Sequence, residues 1–221
     1  MPVYNEAGTI SAILRRIEAV DLEKEIIIVD DGSTDGTAGI LKKLDQSRYR
    51  IIYQPRNRGK GMAIREGLKY ATGGVVIIQD ADLEYDPRDY HALIGPILKG
   101  QASVVYGSRW LRGHFKDIPF NLFKLGSRLL TAMTNVLYRA RLTDEPTCYK
   151  AFKTEVIRDI KLDCRRFEFC PEITAKILKR GYKIYEVPIS YNPRSFKEGK
   201  KISWLDGLEA IWILVKNRFT H

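Results

Sequence analysis

Two short apolar runs, each ending in acidic residues, constrain this sequence more than any other feature. The first covers residues 26–29 and leads directly into the two aspartates of residues 30–31. The second covers residues 75–78 and leads into the Asp-Ala-Asp motif of residues 80–82. Short β-branched runs of this kind are typical of buried parallel strands, and open α/β sheets bind ligands at the carboxyl ends of such strands. The pattern therefore predicts an α/β fold whose carboxylates gather at one edge of a sheet.

Strand and helix patterns alternate along the chain, as they do in βαβ units. Only residues 1–3 are available for a strand before the loop of residues 4–6, so we expect a truncated first strand. The other predicted strands are residues 26–29, 50–53, 75–78, 103–107, 184–187 and 189–192. The predicted helices are residues 7–20, a helix capped by Thr34 or Asp35 and running through Leu44, and residues 60–71, 87–99, 118–138, 169–180 and 203–217.

The length of 221 residues is enough for one large domain with its own core. No Pro- or Gly-rich linker divides the chain, no apolar run approaches the ~20 residues that cross a bilayer, and no leader-like segment follows Met1. The three cysteines have no zinc-type spacing, which favours reduced thiols in a cytosolic protein.

The net charge of +10 is concentrated in the second half of the chain. Residues 1–100 carry 14 Lys and Arg against 15 Asp and Glu, whereas residues 101–221 carry 23 against 12. This basic half either forms a solvated surface or faces an anionic partner, such as lipid headgroups, phosphates or nucleic acid.

Asp80 and Asp82 form an Asp-x-Asp motif at the end of a predicted buried strand. Mg²⁺ prefers octahedral oxygen ligands and is commonly held by one or two carboxylates together with substrate phosphates. Glu84, two residues further on, offers a third oxygen ligand. The motif predicts a divalent cation site, with a solvated acidic turn as the alternative.

The segment of residues 30–33 (Asp-Asp-Gly-Ser) follows a predicted strand and precedes a predicted helix. A carboxylate in that position can accept hydrogen bonds from ribose hydroxyls or a base edge, and the glycine permits close backbone approach. An N-cap followed by a turn is the alternative. The Gly-Lys-Gly segment of residues 59–61 likewise either cradles a phosphate at a helix N-terminus or is a plain loop.

Several cations lie where a phosphate-bearing ligand would need them. Arg109 follows a predicted strand, and Arg194, Lys200 and Lys201 lie in a late basic loop. Charge that develops on a departing diphosphate needs cations beside the metal, and both Arg and Lys suit phosphate oxygens. Surface charges on loops are the alternative. No Ser/His/Asp or Cys/His constellation stands out by its spacing, which disfavours a covalent hydrolase.

Two of the predicted helices are amphipathic. Residues 118–138 carry Phe, Leu and Met at apolar positions with Lys124 and Arg128 among them, and the last helix carries Trp204 and Trp212. These helices either pack on the core or lie in a membrane interface, a location that Trp favours.

Six segments of the sequence together match one family. They are Pro2-Val3-Tyr4-Asn5-Glu6, Val29-Asp30-Asp31-Gly32-Ser33, Asp80-Ala81-Asp82-Leu83-Glu84, Gly107-Ser108-Arg109, Glu186-Val187-Pro188, and Arg194 with Lys200. The combination resembles the family 2 glycosyltransferases of GT-A type, and among them the dolichyl-phosphate mannose synthase-like polyprenyl-phosphate glycosyltransferases. The resemblance extends over essentially the whole chain, and its motifs are specific only in combination.

This resemblance implies a GT-A (Rossmann-like) α/β fold, in which helices flank a mostly parallel sheet and amphipathic helices lie at the C-terminal end. Residues 1–221 would form a single catalytic domain, with a nucleotide-sugar-binding half at residues 1–110 and an acceptor- and membrane-facing half at residues 111–221. The implied activity is the inverting, metal-dependent transfer of mannose or glucose from GDP-mannose or UDP-glucose to a polyprenyl (dolichyl or undecaprenyl) phosphate. The implied location is peripheral, on the cytoplasmic face of the membrane, with a membrane-anchoring partner protein.

The resemblance also implies roles for individual residues. The implied contacts to the base and ribose of the nucleotide are Pro2, Tyr4, Glu6, Val29 and Asp31. The implied ligands of Mg²⁺ or Mn²⁺ are Asp80, Asp82 and Glu84. The implied cations for the donor diphosphate and the acceptor phosphate are Arg109, Arg194 and Lys200, which together with Asp82 are the candidate catalytic residues. Lys124 and Arg128 are further candidate contacts to the acceptor phosphate. Glu84 stands where some relatives carry Gln.

Two other functions stay open at the level of sequence. A glycosyltransferase with a saccharide acceptor, in cell-envelope polysaccharide synthesis, would need a general base, and we identify none. A non-enzymatic basic protein could bind nucleic acid or a membrane surface through residues 101–221. That function leaves the acidic clusters unexplained, and the sequence lacks the interleaved aromatic and basic residues of a nucleic-acid-binding sheet. We therefore expect no nucleic-acid partner.

Overall fold

The structure of the protein, a computed structural model, describes residues 1–112, 122–194 and 204–220. These residues form alternating strands and helices. The strands are β1 (Pro2–Val3), β2 (Ile26–Asp30), β3 (Tyr49–Tyr53), β4 (Val75–Ile77), β5 (Val104–Ser108), β6 (Lys150–Lys153) and β7 (Ile184–Pro188). The α-helices are α1 (Ile10–Glu18), α2 (Thr37–Lys42), α3 (Lys60–Leu68), α4 (Tyr90–Leu98), α5 (Leu122–Tyr138), α6 (Thr154–Arg158), α7 (Phe169–Lys179) and α8 (Trp204–Phe219).

The strands pair in two groups. β1, β2 and β3 are parallel, with β2 in the middle, and the other group has the order β4-β6-β5-β7. In that second group β6 is antiparallel to both of its neighbours, whereas β5 and β7 are parallel. Three of the five pairings within the described residues are therefore parallel, which confirms the predicted mostly parallel α/β fold. The first strand is short as expected, since only Pro2 and Val3 pair with β2.

Helices cover both faces of the strands, and the alternation of side chains along β5 shows why. Val105 packs into one apolar cluster with residues of α1 and α4, including Ile13 and Leu93. Its neighbour Val104 points to the opposite face and packs with residues of α3, α6 and α7, including Ile173. Because successive side chains of a strand alternate between faces, a strand that is buried on both faces is apolar at every position. This is the pattern that identified β2 and β4 in the sequence.

The sequence pattern missed β6 and the short helix α6, and it predicted a strand at residues 189–192 that does not form. There, Tyr191 makes only an isolated antiparallel bridge to Tyr85. β6 was not predicted because Lys150 and Lys153 stand at its two ends and make the segment look polar. Lys150 is nevertheless fully buried, and its ammonium lies 3.6 Å from the centroid of the Tyr106 ring. A cation over an aromatic face is stabilised by the ring, and no sequence periodicity reveals such a pair.

Some predictions concern residues that the structure does not describe. Lys200, Lys201 and residues 118–121 of the predicted amphipathic helix lie outside the described residues. Among the residues that are described, no helix is both long enough and apolar enough to cross a membrane.

Candidate active site

A cavity of about 890 Å³ opens at the carboxyl ends of β1, β2, β4 and β5. It brings together most of the residues that the sequence singled out. Those that line it are Pro2, Tyr4, Glu6, Asp31, Asp80, Asp82, Glu84, Arg109, Lys124 and Arg194. Val29 and Arg128 do not line it, and Val29 is fully buried within β2. Lys200 lies outside the described residues.

The loop after β1 is fastened to the loop after β2 by hydrogen bonds. The backbone N–H of Asn5 donates to Ser33 Oγ at 2.9 Å, and the N–H of Thr34 donates to Asn5 Oδ1 at 2.8 Å. Asn5 has a φ of 51°, a left-handed conformation that Asn tolerates better than most residues. The N–H of Glu6 donates to Thr37 Oγ1 at 2.9 Å. These bonds hold Tyr4 and Glu6 at the rim of the cavity.

Asp31 organises the loop that precedes α3. Its two carboxylate oxygens accept hydrogen bonds from the backbone N–H groups of Arg58 and Gly59, each at 2.8 Å. Burial raises the pKa of Asp31 in spite of these bonds. Gly59 has a φ of 97°, and a Cβ atom there would lie 2.4 Å from the carbonyl oxygen of Arg165. Only glycine fits this position, so the Gly-Lys-Gly segment forms a turn beside the cavity that is packed closely against the backbone of Arg165.

Lys60, the first residue of α3, forms an ion pair with Asp80. Its Nζ atom lies 2.7 Å from the carboxylate and 3.2 Å from Cys148 Sγ. Burial alone would raise the pKa of Asp80, but the Lys60 charge outweighs burial and the pKa of Asp80 is lowered. The same pairing raises the pKa of Lys60 well above its usual value against the opposing effect of burial. Asp80 is therefore an ionised carboxylate with a cation beside it.

Asp82 and Glu84 meet Arg194 on the opposite side of the cluster. The guanidinium of Arg194 lies 3.1 Å from Asp82 Oδ2 and 3.2 Å from Glu6 Oε2. The backbone N–H of Arg194 donates to Glu84 Oε1 at 2.9 Å, and the Tyr191 hydroxyl donates to Glu84 Oε2 at 3.1 Å. Burial, followed by the charges of Asp80 and Glu84, raises the pKa of Asp82 to about 7. Three carboxylates, those of Glu6, Asp82 and Glu84, thus share the guanidinium of Arg194.

The carboxylates fit a divalent cation by the chemistry of their donor atoms. Asp80 and Asp82 bring hard oxygen ligands to the cavity, and the carboxylates of Glu6 and Glu84 line it as well. Across the described ranges of the chain, no three His, Cys, Asp or Glu side chains converge into a complete metal cage. Proteins usually hold Mg²⁺ by one or two carboxylates, while phosphate oxygens and water occupy its other coordination positions. Asp80, Asp82 and Glu84 as ligands stay a prediction.

Arg109 is held by a buried partner that the sequence did not identify. Its Nε and Nη2 atoms each lie 2.7 Å from a carboxylate oxygen of Asp144, which is itself fully buried. The Asp144 charge raises the pKa of Arg109 well above its usual value against the effect of burial. Glu186 positions this pair by accepting the backbone N–H of Asp144 at 3.0 Å. The guanidinium also lies 5.0 Å from the centroid of the Tyr191 ring.

The other wall of the cavity is apolar. Side chains of α5 and α8 form most of it, and α5 packs against α8, where the Tyr138 hydroxyl donates to the carbonyl oxygen of Leu214 at 2.6 Å. Lys124 stands between this wall and the polar end, with its ammonium 5.5 Å from the ring centroid of Trp110. Arg128 stacks on the same ring at 4.5 Å. The apolar lining residues are Phe123, Leu129, Leu130, Phe167, Leu208 and Ile211.

Several residues of this site have no role predicted from the sequence: Tyr85 and Cys148 line the cavity, and Asp144 holds Arg109. Lys60 also lines the cavity, and the sequence predicts its Gly-Lys-Gly segment as either a phosphate cradle or a plain loop. Asp144 could not be identified from the sequence, since 35 residues separate it from Arg109, with which it pairs.

Comparisons with known proteins identify the family of this chain. The family model "Glycosyl transferase family 2" matches residues 1–161. Polyprenol monophosphomannose synthase of Mycolicibacterium smegmatis is 26% identical over 90% of this chain and 78% of its own length. Glycosyltransferase AglD of Haloferax volcanii is 26% identical over 88% of this chain, which spans only 32% of AglD.

Solved structures show the same fold. Glucosyl-3-phosphoglycerate synthase from Mycobacterium tuberculosis, in complex with UDP, superposes with a TM-score of 0.77 at 22% identity, over 98% of this chain and 78% of that one. A second structure of that enzyme contains Mn²⁺, UDP-glucose and phosphoglyceric acid, and superposes with a TM-score of 0.74. A third contains Mg²⁺ and UDP.

Proposed function

We propose a specific reaction for this chain, which belongs to glycosyl transferase family 2: the inverting transfer of a hexose from a nucleotide sugar to a polyprenyl phosphate. Membership of the family makes the chain a glycosyltransferase, and the donor and acceptor are the proposal. One observation carries it. A single cavity joins a cluster of carboxylates and cations at the strand ends to an apolar wall from α5 and α8. A lipid phosphate likewise combines a charged group and an apolar chain in one molecule.

The donor would bind at the polar end of the cavity. Pro2, Tyr4, Glu6 and Asp31 line the cavity there and would contact the base and ribose, and both GDP-mannose and UDP-glucose would suit these groups. Asp80 and Asp82 would hold Mg²⁺ or Mn²⁺, with Glu84 beside them. When bound, the cation supplies positive charge to the donor diphosphate as it departs.

The acceptor phosphate would enter beside Lys124, at the border between the polar and apolar walls. The first isoprene units would then contact the apolar side chains of α5 and α8. One relative, the polyprenol monophosphomannose synthase, is named for an acceptor of this class. A saccharide acceptor would leave this apolar wall without a partner, and burial of apolar surface is the main driving force for lipid binding.

The chemistry asks little of a general base. A phosphate monoester has a second pKa near ~6, so the acceptor is largely dianionic at neutral pH and is itself the nucleophile. One of its oxygens forms a bond to the anomeric carbon while the bond from that carbon to the diphosphate oxygen breaks on the opposite face, which inverts the configuration. The side chains of the protein would orient the two substrates and neutralise the departing charge. Arg194, beside Asp82, is placed to do so.

The exposed apolar faces of α5 and α8 suit a lipid surface, and two of their residues, Leu129 and Leu208, also line the cavity. On α8 the exposed side chains Leu205, Leu208, Trp212 and Phe219 follow helical spacing along one stripe. On α5 the exposed Leu125, Leu129 and Val136 do the same. Amphipathic helices of this kind lie in membrane interfaces. We therefore place the protein peripherally on the cytoplasmic face of a membrane, where the acceptor lies, with a membrane-anchoring partner protein as a further expectation.

Transfer assays test this function directly. Radiolabelled GDP-mannose and UDP-glucose are each offered with undecaprenyl phosphate, with dolichyl phosphate and with a soluble saccharide, in the presence of Mn²⁺. We expect label in a lipid product, and loss of that label with Asp82→Ala. Label that appears only in the saccharide would overturn the acceptor assignment, and transfer by Asp82→Ala at the wild-type rate would overturn the site.

A further inference from the structure

The ring of Trp110 lies against two cations of α5. Its centroid is 5.5 Å from the ammonium nitrogen of Lys124 and 4.5 Å from the guanidinium carbon of Arg128. Both distances are within the roughly 6 Å at which an aromatic face attracts a cation. Lys124 and Arg128 are four positions apart in the helix, so they lie on the same face of it. The ring therefore joins the loop after β5 to one face of α5.

These three residues differ in their access to the cavity. Lys124 is buried and lines the cavity, whereas Trp110 and Arg128 do not line it. A ligand in the cavity can therefore meet the ammonium of Lys124 but not the ring of Trp110. An effect of Trp110 on a bound ligand must act through a neighbour, and the contact with Lys124 offers such a route.

The backbone that carries the ring is held in place at the end of β5. The backbone N–H of Trp110 donates to Ser108 Oγ at 3.3 Å, and Ser108 Oγ lies 2.6 Å from Thr143 Oγ1. The backbone N–H of Arg109 donates to the buried carboxylate of Asp144 at 3.0 Å. Because a Trp side chain has only two rotatable bonds, a Trp ring on such a backbone has few positions open to it.

A lysine side chain, by contrast, is a compact charge on a flexible four-carbon stem. Its ammonium takes a defined position only where contacts restrict that stem. Trp110 supplies such a contact to Lys124 in the first turn of α5. The contact therefore limits the positions that the ammonium can take between the polar end of the cavity and its apolar wall.

We propose that Trp110 is a positioning residue for the acceptor: its ring holds the ammonium of Lys124 where the phosphate of a polyprenyl phosphate would bind. Trp110 does not touch the substrate and acts through Lys124. This role rests on the proposed function, whereas the contact between the ring and the ammonium does not. Ordinary packing of a Trp side chain is the alternative, and it predicts no dependence on the presence of Lys124.

Nuclear magnetic resonance tests the contact itself, without reference to any reaction. The full chain is labelled with ¹³C-lysine, and the Lys124 signals are assigned by their loss in Lys124→Met. We expect the protons on Cε of Lys124 to show a ring-current shift that disappears in Trp110→Leu and persists in reduced form in Trp110→Phe. Signals of Lys124 that are the same in the wild type and in Trp110→Leu would overturn the proposal.

Transfer assays with undecaprenyl phosphate test the role. Radiolabelled GDP-mannose and UDP-glucose are offered separately with Mn²⁺, and the faster donor is used for every variant. We expect Trp110→Leu to raise the KM for undecaprenyl phosphate by about tenfold and Trp110→Phe by about threefold, because the smaller ring still attracts the ammonium. The kcat and the KM for the donor should stay at their wild-type values.

A double-variant comparison separates positioning from packing. Lys124→Met should itself raise the KM for undecaprenyl phosphate. In that background, Trp110→Leu or Trp110→Phe should change the KM by no more than about twofold, because the residue through which the ring acts is absent. Trp110→Phe keeps this comparison decisive if urea denaturation shows that Trp110→Leu is unfolded.

Tyr53→Leu is the control for the loss of an aromatic ring. Tyr53 is 40% exposed, has the ammonium of Lys42 at 5.9 Å from its ring centroid and does not line the cavity. This variant should leave kcat and both KM values unchanged.

The outcomes distinguish the role of Trp110 from the function on which it rests. An unchanged KM for undecaprenyl phosphate in the Trp110 variants, or an equal rise with and without Lys124, would refute the role alone. A fall in kcat with unchanged KM would also refute it. A wild type that transfers hexose to a soluble saccharide and not to undecaprenyl phosphate would refute the proposed function and the role with it, while the ring-current shift of Lys124 would remain.

Discussion

The Nζ atom of Lys60 lies 2.7 Å from each of the two carboxylate oxygens of Asp80. One residue starts a helix and the other follows a strand, 20 positions later in the chain. The pair places a permanent cation against the first aspartate of the Asp-x-Asp motif, where a divalent cation is proposed to bind. Lys60 is therefore a counter-charge that lets Asp80 stay ionised in a buried place, and it lines the cavity in which the donor is proposed to bind.

Removal of Lys60 alone should destabilise the fold. Lys60→Met leaves the Asp80 carboxylate buried without its cation, and breaking a buried ion pair in this way costs about 3–5 kcal/mol of unfolding free energy. Chemical denaturation without added metal measures the loss. Lys69→Met is the matched control, because Lys69 is 65% exposed and pairs with Glu66 on the surface. If both variants lose the same small amount, the Lys60–Asp80 pair is not a buried ion pair.

Arg194 should compete with a divalent cation for Asp82. In Arg194→Ala the guanidinium no longer lies between Glu6 and Asp82, so the carboxylates carry more uncompensated charge. We expect Mn²⁺ to bind at least as tightly as in the wild type without donor, while transfer falls by about 100-fold because charge on the departing diphosphate loses its cation. Calorimetry and single-turnover assays measure the two effects.

Arg88→Ala is the control for Arg194, since the Arg88 side chain is 87% exposed and pairs only with Asp86 within the described residues. It should change neither quantity. Weaker Mn²⁺ binding by Arg194→Ala would contradict competition, and unchanged transfer would contradict a role for Arg194 in the reaction.

The exposed apolar stripes of α5 and α8 should carry membrane binding. The triple variant Val136→Ser, Trp212→Ser, Phe219→Ser removes apolar surface that is 62–80% exposed and lies outside the cavity. Surface changes of this kind leave stability within roughly 0.5 kcal/mol each. Binding to vesicles of phosphatidylglycerol and phosphatidylcholine, measured by sedimentation, should fall by at least about tenfold.

Leu98→Ser provides the comparison for the stripes, since Leu98 is 70% exposed at the end of α4. This variant should bind vesicles as the wild type does. Equal binding by the triple variant would show that α5 and α8 do not dock on lipid.

Stability should depend on pH through Glu145, which is fully buried between α5 and β6. Burial raises its pKa from 4.5 to about 7 in spite of the nearby charge of Lys150. A carboxyl group with a raised pKa contributes stability that is fully present below 4.5 and is lost as the pH rises through 7. The loss is roughly 2–3 kcal/mol across this window.

Glu145→Gln should abolish that loss, which urea denaturation at pH 4.5, 6 and 8 would detect as a flatter profile. The groups that face Glu145 include Lys150, Cys170, Thr174 and Asp144. Cys170 titrates with the opposite sign, because its pKa is lowered from 9.0 to about 6 and its contribution grows as the pH rises toward 9.0. A profile of Glu145→Gln that matches the wild type between pH 4.5 and 7 would contradict the assignment.

Much of the fold was predictable because its signals are local. β2 and β4 are apolar at successive positions because other elements pack against both of their faces. α1 shows helical spacing of Ile10, Ile13, Leu14 and Ile17. The convergence of the acidic residues at the strand ends was predictable from these strands, because the carboxyl ends of parallel strands meet at one edge of the sheet. β6 was not predictable, since a buried lysine looks like a surface residue until its partner, the Tyr106 ring, is known.

The sequence by itself determined the α/β class, the acidic strand ends and the family, because each depends on residues that are adjacent or regularly spaced along the chain. Only the tertiary structure decided how the charges pair: Lys60 with Asp80, Arg109 with Asp144, and Arg194 with Asp82. The partners in these pairs are separated by 20, 35 and 112 residues. Coulomb attraction depends on distance in space, which no spacing along the chain encodes for residues so far apart.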